Sequence, residues 1–174
     1  SSRRDVGLRF QNVIIPAGAS ITTAYLQVYP NAASGDVYVD IYGHDADLSA
    51  DFNSLRQVNG RAKTTATAAW TQNNLTYPGW NNSPELRTIV QELVDTYDYS
   101  AGRAMTLLLI ARTAGGYSNS YSYEYSDHTY SAKLHIEYTT GVPSQDTAPP
   151  VISGISPSGT LSSGTVQATI SLTA

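Results

Sequence analysis

The sequence predicts a mainly β protein, an antiparallel sandwich of strands carrying one helix, and three observations predict it. Runs in which apolar and polar residues alternate recur along the chain, the period of half-buried strands. One stretch alone, Ser83 to Thr96, has a convincing helical period. Directly after it stands Met105-Thr106-Leu107-Leu108-Leu109-Ile110-Ala111, too short for a second long helix and apolar on both faces, as a central strand is.

In order, Val6-Gly7-Leu8-Arg9-Phe10 begins as a strand, and Val13-Ile14-Ile15 carries the apolar run to a turn at Pro16-Ala17-Gly18. Ser20 to Tyr29 sets Leu26 and Val28 on one face and Tyr25, Gln27 and Tyr29 on the other, and Pro30 to Gly35 reads as a loop. Val37, Val39 and Ile41 alternate with Tyr38, Asp40 and Tyr42 in the next strand, so a tyrosine-rich polar face is expected along two consecutive strands. Gly43 to Gly60 lacks a sustained period and reads as a long loop; the Thr- and Ala-rich Lys63 to Trp70 reads as a strand.

The helix is expected to start with Ser83 as a cap, Pro84 at the first helical position and Glu85 where the helix dipole favours negative charge. Leu86, Ile89, Val90, Leu93, Val94 and Tyr97 form its apolar stripe. After the central strand, Tyr117 to Tyr125 places Tyr121, Tyr123 and Tyr125 at strand spacing, Ser126-Asp127-His128 is a turn, and Lys133 to Tyr138 alternates with Leu134, Ile136 and Tyr138 on the core face. Residues 1–140 thus make one β-domain, 141–150 a Pro/Gly linker by composition, and 151–174 the strands of a further, partial β-unit too short to bury a core alone.

Composition narrows the function classes. Charged residues are 14% of the chain against roughly 25% in ordinary globular domains, while Tyr, Thr, Ser, Asn and Gly abound. That balance suits a secreted or cell-surface protein. The net charge is −4 and there is no basic cluster beyond Arg3-Arg4, so nucleic acid is not an expected partner. Cysteine is absent, which excludes disulfides and cysteine-based metal sites and leaves the compartment open. No run approaches the roughly 18 consecutive apolar residues of a membrane span. No signal peptide opens the chain, so an exported protein would be represented here by a mature or partial sequence.

Four motifs occur together: Val6-Gly7-Leu8-Arg9-Phe10; Ile15-Pro16-Ala17-Gly18-Ala19-Ser20 through Leu26; Ser83-Pro84-Glu85-Leu86 through Val94; and Ala132-Lys133-Leu134-His135-Ile136-Glu137-Tyr138. Over Asp5 to about Thr140 the chain resembles the DNRLRE-type, carbohydrate-binding-module-like jelly-roll domains of bacterial and archaeal surface and secreted proteins. The resemblance implies a fold more than a function: a jelly-roll-like antiparallel β-sandwich with one amphipathic helix. Such modules have a strand or two before the position of Val6, missing here. Asp146-Thr147-Ala148-Pro149-Pro150-Val151-Ile152 looks like the entry to the immunoglobulin-like repeats that follow such modules, so 151–174 is expected to be a partial immunoglobulin-like domain.

Candidate chemistry is sparse. Asp45, Asp47 and Asp51 offer oxygen ligands in a loop and are candidates for Ca2+, with a solvated acidic loop as the plainer reading; no other cofactor is expected. The loop is not an EF-hand, since Ala50 replaces the glycine and Arg56 the bidentate glutamate. Ser126-Asp127-His128 has triad residue types in a turn, without a Gly-x-Ser-x-Gly elbow. Asp40 and Glu124 are carboxylates on Tyr-flanked stretches, with nothing to fix the separation that glycoside hydrolysis needs. No catalytic constellation is recognisable, and the expectation is a protein that is not an enzyme.

The thirteen tyrosines say more. A tyrosine has a flat apolar body with a polar edge, so a row of them can pair across a sheet, stack on sugars or bury against another chain. Tyr25, Gln27, Tyr29, Tyr38, Asp40 and Tyr42 are the expected ligand or assembly face, for a polysaccharide, other copies of the chain, or adjacent domains. The chain opens with a sandwich strand missing and closes with Val166, Ala168, Ile170 and Leu172 alternating with polar residues. Two explanations stand: a fragment of a longer chain, or a subunit that donates this last strand to its neighbour in a filament.

Overall fold

The computed structural model describes residues 4–52, 58–73, 75–113 and 115–141. The chain divides into two units, Ser1–Val142 and Pro143–Ala174. The linker beyond Gly141, the expected immunoglobulin-like segment and the four donor residues Val166, Ala168, Ile170 and Leu172 lie outside the described residues.

The described part is mainly β, with antiparallel sheets and one α-helix. Its strands are β1 (Val6–Val13), β2 (Ser20–Val28), β3 (Pro30–Ser34), β4 (Val37–Gly43), β5 (Ala68–Gln72), β6 (Asn81–Asn82), β7 (Arg103–Ala111), β8 (Tyr117–Ser120) and β9 (Lys133–Thr139), with helix α1 (Arg87–Thr96) between β6 and β7. A four-stranded sheet runs β1-β7-β4-β5, a three-stranded sheet β6-β2-β9, and β3 pairs with β8. Ile21, Ala24, Leu26 and Val28 from β2 share one core with Val39 and Ile41 from β4, Met105, Leu107 and Leu109 from β7, and Leu86, Ile89, Val90 and Leu93 from the helical segment. The chain crosses repeatedly between the two larger sheets, whose inner faces share this core, giving a β-sandwich-like fold.

β7 is buried along its middle on both faces, as its unbroken apolar run requires. Its inner residues enter the core; Thr106 and Leu108 point outward and are buried as well, at 1% and 0% exposure. Phe52 covers this side. Its ring occupies the space a side chain on Gly7 would fill, 2.1 Å from where a Cβ would stand, and Gly7 pairs with Leu108. Only glycine leaves β1 room for that ring.

Three sequence expectations are corrected. Pro30–Ser34 is not a loop but strand β3, paired with β8; the partner is legible only in three dimensions. Gly116 makes this possible, since its bare Cα lies against the Ser34 carbonyl where a Cβ would be 2.3 Å away. The strand expected over Tyr117 to Tyr125 stops at Ser120, and a short 3-10 turn with positive φ at Ser126, Asp127 and His128 occupies Tyr125–His128. The strand expected over Lys63 to Trp70 is β5, Ala68–Gln72, because the backbone N–H groups of Thr65 and Ala66 donate to the Glu92 carboxylate, each at 2.7 Å, instead of to a neighbouring strand.

The helix start is corrected as well. α1 begins at Arg87 with apolar Leu86 as N-cap, not at Ser83. Ser83, Pro84 and Glu85 lie outside the helix, beside β2. The Leu26 N–H donates to Ser83 Oγ at 2.9 Å, and the Ser83 N–H donates back to the Leu26 carbonyl at 2.8 Å. The Ala24 N–H donates to Glu85 Oε1 at 2.7 Å, the Leu86 N–H to the Ala24 carbonyl at 2.7 Å, and the Ile21 N–H to Gln91 Oε1 at 2.7 Å. Residues that look like a helix cap thus extend the short pairing of β6 along β2. Glu85 Oε1 also accepts the Arg87 N–H, so its carboxylate still serves the helix N-terminus.

Candidate functional site

From Ala24 onward, side chains on β2 alternate between core and surface. With Ala24, Leu26 and Val28 in the core, Tyr25 and Gln27 face outward, and the antiparallel register sets Tyr25 opposite His135 and Gln27 opposite Lys133. The Tyr25 and His135 rings stack with centroids 4.6 Å apart, and His135 Nε2 lies 3.0 Å from Glu137 Oε1. Gln27 Nε2 donates to Asn82 Oδ1 at 2.9 Å. Lys133 Nζ sits 4.1 Å over the Trp80 ring.

Beyond Gln27 the face becomes aromatic. Tyr29, just past the end of β2, meets the edge of Trp80 at 5.2 Å, Tyr130 at 4.5 Å and Tyr121 at 6.0 Å. Tyr121 in turn stacks on Tyr125 at 4.1 Å. Crowding by neighbouring groups, together with the Tyr125 hydroxyl, pushes the Tyr121 phenol up from its ordinary value. Five rings from three separate segments make one cluster, with Trp80 and Tyr125 exposed and Gln27, Asn82 and Lys133 alongside. Only Tyr29 of these rings belongs to the face expected from sequence. Trp80 and Tyr130 lie outside strands and helices, where periodicity gives no signal, and Tyr121 and Tyr125, expected on a strand, lie past the end of β8; the available hint was the density of tyrosines over the Tyr117–Tyr130 stretch.

The expected six-residue face does not exist as one surface. β2 and β4 belong to different sheets whose inner faces meet in a shared core, so Tyr25, Gln27 and Tyr29 look out on one side and Tyr38, Asp40 and Tyr42 on the other. Adjacency in sequence does not make strands neighbours when the chain switches sheets between them. On the second face the polar groups are already engaged. The Tyr38 hydroxyl donates to Asp36 Oδ2 at 3.1 Å, which raises the Tyr38 phenol, and Asp40 pairs with Arg112 at 3.3 Å.

The three aspartates of the calcium candidate also part company. Asp45 Oδ1 accepts the Tyr97 hydroxyl at 2.7 Å, Asp47 pairs with Arg103, and Asp51 pairs with Arg9 at 2.8 Å. Each carboxylate has its own partner, and among the described residues no three His, Cys, Asp or Glu side chains converge as a metal site would. Their loop serves as a cover. Ser49 Oγ lies 2.7 Å from His44 Nδ1 and 2.6 Å from Thr106 Oγ1, and its carbonyl accepts from Arg9 Nε at 2.8 Å. Arg61 lies 4.0 Å over the Phe52 ring and donates to the Asp51 carbonyl at 2.8 Å. Burial, and then the Arg61 charge, hold His44 below the usual imidazole range. A serine beside a histidine is a nucleophile only where a substrate reaches its hydroxyl. Here Ser49 is 4% exposed, clamped between sheet and loop.

The sandwich has an open side. β1 and β9 are the terminal strands of the two sheets, and among the described residues each pairs on one edge only. Between them lies an apolar groove of about 330 Å3, lined by Phe10, Gln11, Val13, Ile14, Ile15, Leu134, Ile136 and Tyr138. Ile14 is 56% and Tyr138 40% exposed there.

No helix among the described residues is long and apolar enough to cross a membrane. Comparisons of the chain with family models, with curated proteins and with solved structures find no match.

Proposed function

We propose that the chain is a non-catalytic extracellular module, a structural or adhesive building block of a larger surface protein or fibre, assembling by addition of a β-strand at the open side of its sandwich. The observation that supports this best is the apolar groove between the edges of β1 and β9 that have no partner among the described residues. An unpaired edge beside exposed apolar side chains is a template for another strand: backbone hydrogen bonds give affinity, and the groove takes every second side chain. The low charge, the abundance of Tyr, Thr, Ser and Asn, and the resemblance to surface modules point the same way.

The test is the assembly state of the intact chain by sedimentation and electron microscopy. Ordered fibres or stable multimers that grow with concentration are expected. A chain that stays monomeric up to its solubility limit overturns the reading.

The ring cluster around Tyr29 favours a second reading, a carbohydrate-binding module. Its partly exposed Trp80 and Tyr125 rings, with the Gln27 and Asn82 amides beside them, suit the apolar faces and hydroxyls of a polysaccharide. Saturable binding on a glycan array, lost in Trp80→Ala and kept in Tyr38→Ala on the opposite sheet, would establish it. Failure to bind any glycan would remove it.

A further inference from the structure

We propose that the strand entering the groove is the segment Thr165–Thr173 of a second copy, hydrogen-bonded to the outer edge of β9. This rests on the assembly reading above and names its partner.

The two sheets are unequal. One has four strands, β1-β7-β4-β5, and the other three, β6-β2-β9, and the groove lies where a fourth strand beside β9 would stand. Of the two edges that border it, β9 is the better acceptor. The β1 register is broken between Phe10 and Val13, whereas β9 runs regularly against β2 over Lys133 to Glu137, with a single shift near its end. Leu134, Ile136 and Tyr138 line the groove from β9, and a strand laid beside them would present its own side chains to the same space at every second residue.

The segment fits in pattern and in length. Val166, Ala168, Ile170 and Leu172 are apolar, while Gln167, Thr169, Ser171 and Thr173 are polar, as a strand needs when one face fills a groove and the other meets water. From Val166 to Leu172 such a strand spans about 20 Å, the span from Lys133 to Thr139 on β9. Thr140 to Gly164, with Pro143, Pro149, Pro150 and Pro157, is too long and too proline-rich for the short loop of a hairpin. A linker of that length and composition can reach a neighbouring copy.

The experiment compares the intact chain with a chain lacking Gly164–Ala174, and adds a synthetic peptide of that sequence to the shortened chain. The intact chain should assemble while the shortened chain stays monomeric with unchanged circular dichroism. The peptide should raise the melting temperature of the shortened chain by several degrees; a shuffled peptide should not. Ile14→Asp, at an exposed groove position, should abolish the peptide effect without unfolding the domain.

If the shortened chain assembles as the intact one does, the donor is wrong while the assembly reading stands. A peptide that leaves the melting temperature unmoved also overturns the proposal. So does a monomeric intact chain whose shortened form still binds the peptide, because the segment would then fill its own groove.

Discussion

The three-stranded sheet has two flanks, and they are finished in opposite ways. On the helix side, β6 pairs with β2 for only two residues, after which Ser83 Oγ, Glu85 Oε1 and Gln91 Oε1 accept successive β2 N–H groups where a strand would have continued. On the β9 side no described residue does the equivalent, and apolar side chains stand open beside the edge. The outward faces of the two sheets differ as well: loop and ion pairs close the face around Thr106, while Trp80 and Tyr125 stand exposed beside Tyr29. An exposed edge is a template for pairing, so the flank closed by three side chains is barred from the proposed strand addition, while the flank with no partner among the described residues is where that addition would take place.

The largest test of the closed flank is Leu93→Ala. Leu93 is 1% exposed in the shared core, and its Cδ1 lies against Gly43 at the end of β4. Truncation leaves a cavity between helix and sheet, and a loss of about 2 to 5 kcal/mol is expected in chemical denaturation. A loss below about 1 kcal/mol, within the range of surface substitutions and small repacking, would mean that the helix does not hold this flank.

Next is Ser83→Ala, expected to cost about 1 to 3 kcal/mol because the buried Leu26 N–H loses its acceptor. Faster hydrogen exchange at Leu26, with β9 amides unaffected, would sharpen the contrast between the flanks. If Ser83 were only a helix cap, helix amides would be the ones exposed.

These two sites also mark what was legible in the sequence. Leu93 belongs to a stripe whose period follows from burying one side of a helix, and Leu86, Ile89, Val90 and Leu93 are all buried as that period requires. β7 was legible for the same reason, since burial on both faces leaves an uninterrupted apolar run. Ser83 and Glu85 were not. A serine, a proline and a glutamate before an apolar stripe satisfy backbone donors wherever those donors lie, and the sequence does not say whether they belong to the helix or to a strand some sixty residues away. The ring cluster was hidden for another reason: Tyr29, Trp80 and Tyr121 meet only once β2 is set beside β9 and the chain turns at Tyr125–His128.

A smaller effect is expected from pH on the closed face. His44 is held below its ordinary value of 6.5 by burial and by Arg61, so the unfolded chain takes up this proton before the folded one does. The contribution of neutral His44 is therefore full above pH 6.5 and declines as pH falls below it. Melting temperature should drop on that acid side, and His44→Gln should flatten the drop. An unchanged slope in the variant would show that other groups carry it.

The smallest effect on stability is expected at the open flank. Ile14 lines the groove at 56% exposure, and its replacement by aspartate removes little buried area and leaves no hydrogen-bonding group unpaired within the domain. A change within about 0.5 kcal/mol is expected for such a position. Assembly should respond in the opposite proportion, since a carboxylate in the groove would have to be desolvated beside Val13 and Ile136 when a strand enters. Sedimentation and denaturation measured on the same variant separate the two quantities. Large loss of multimers with unchanged stability is the signature of a surface shaped for a partner; equal losses in both would make Ile14 part of the domain's own core and the groove a gap without an occupant.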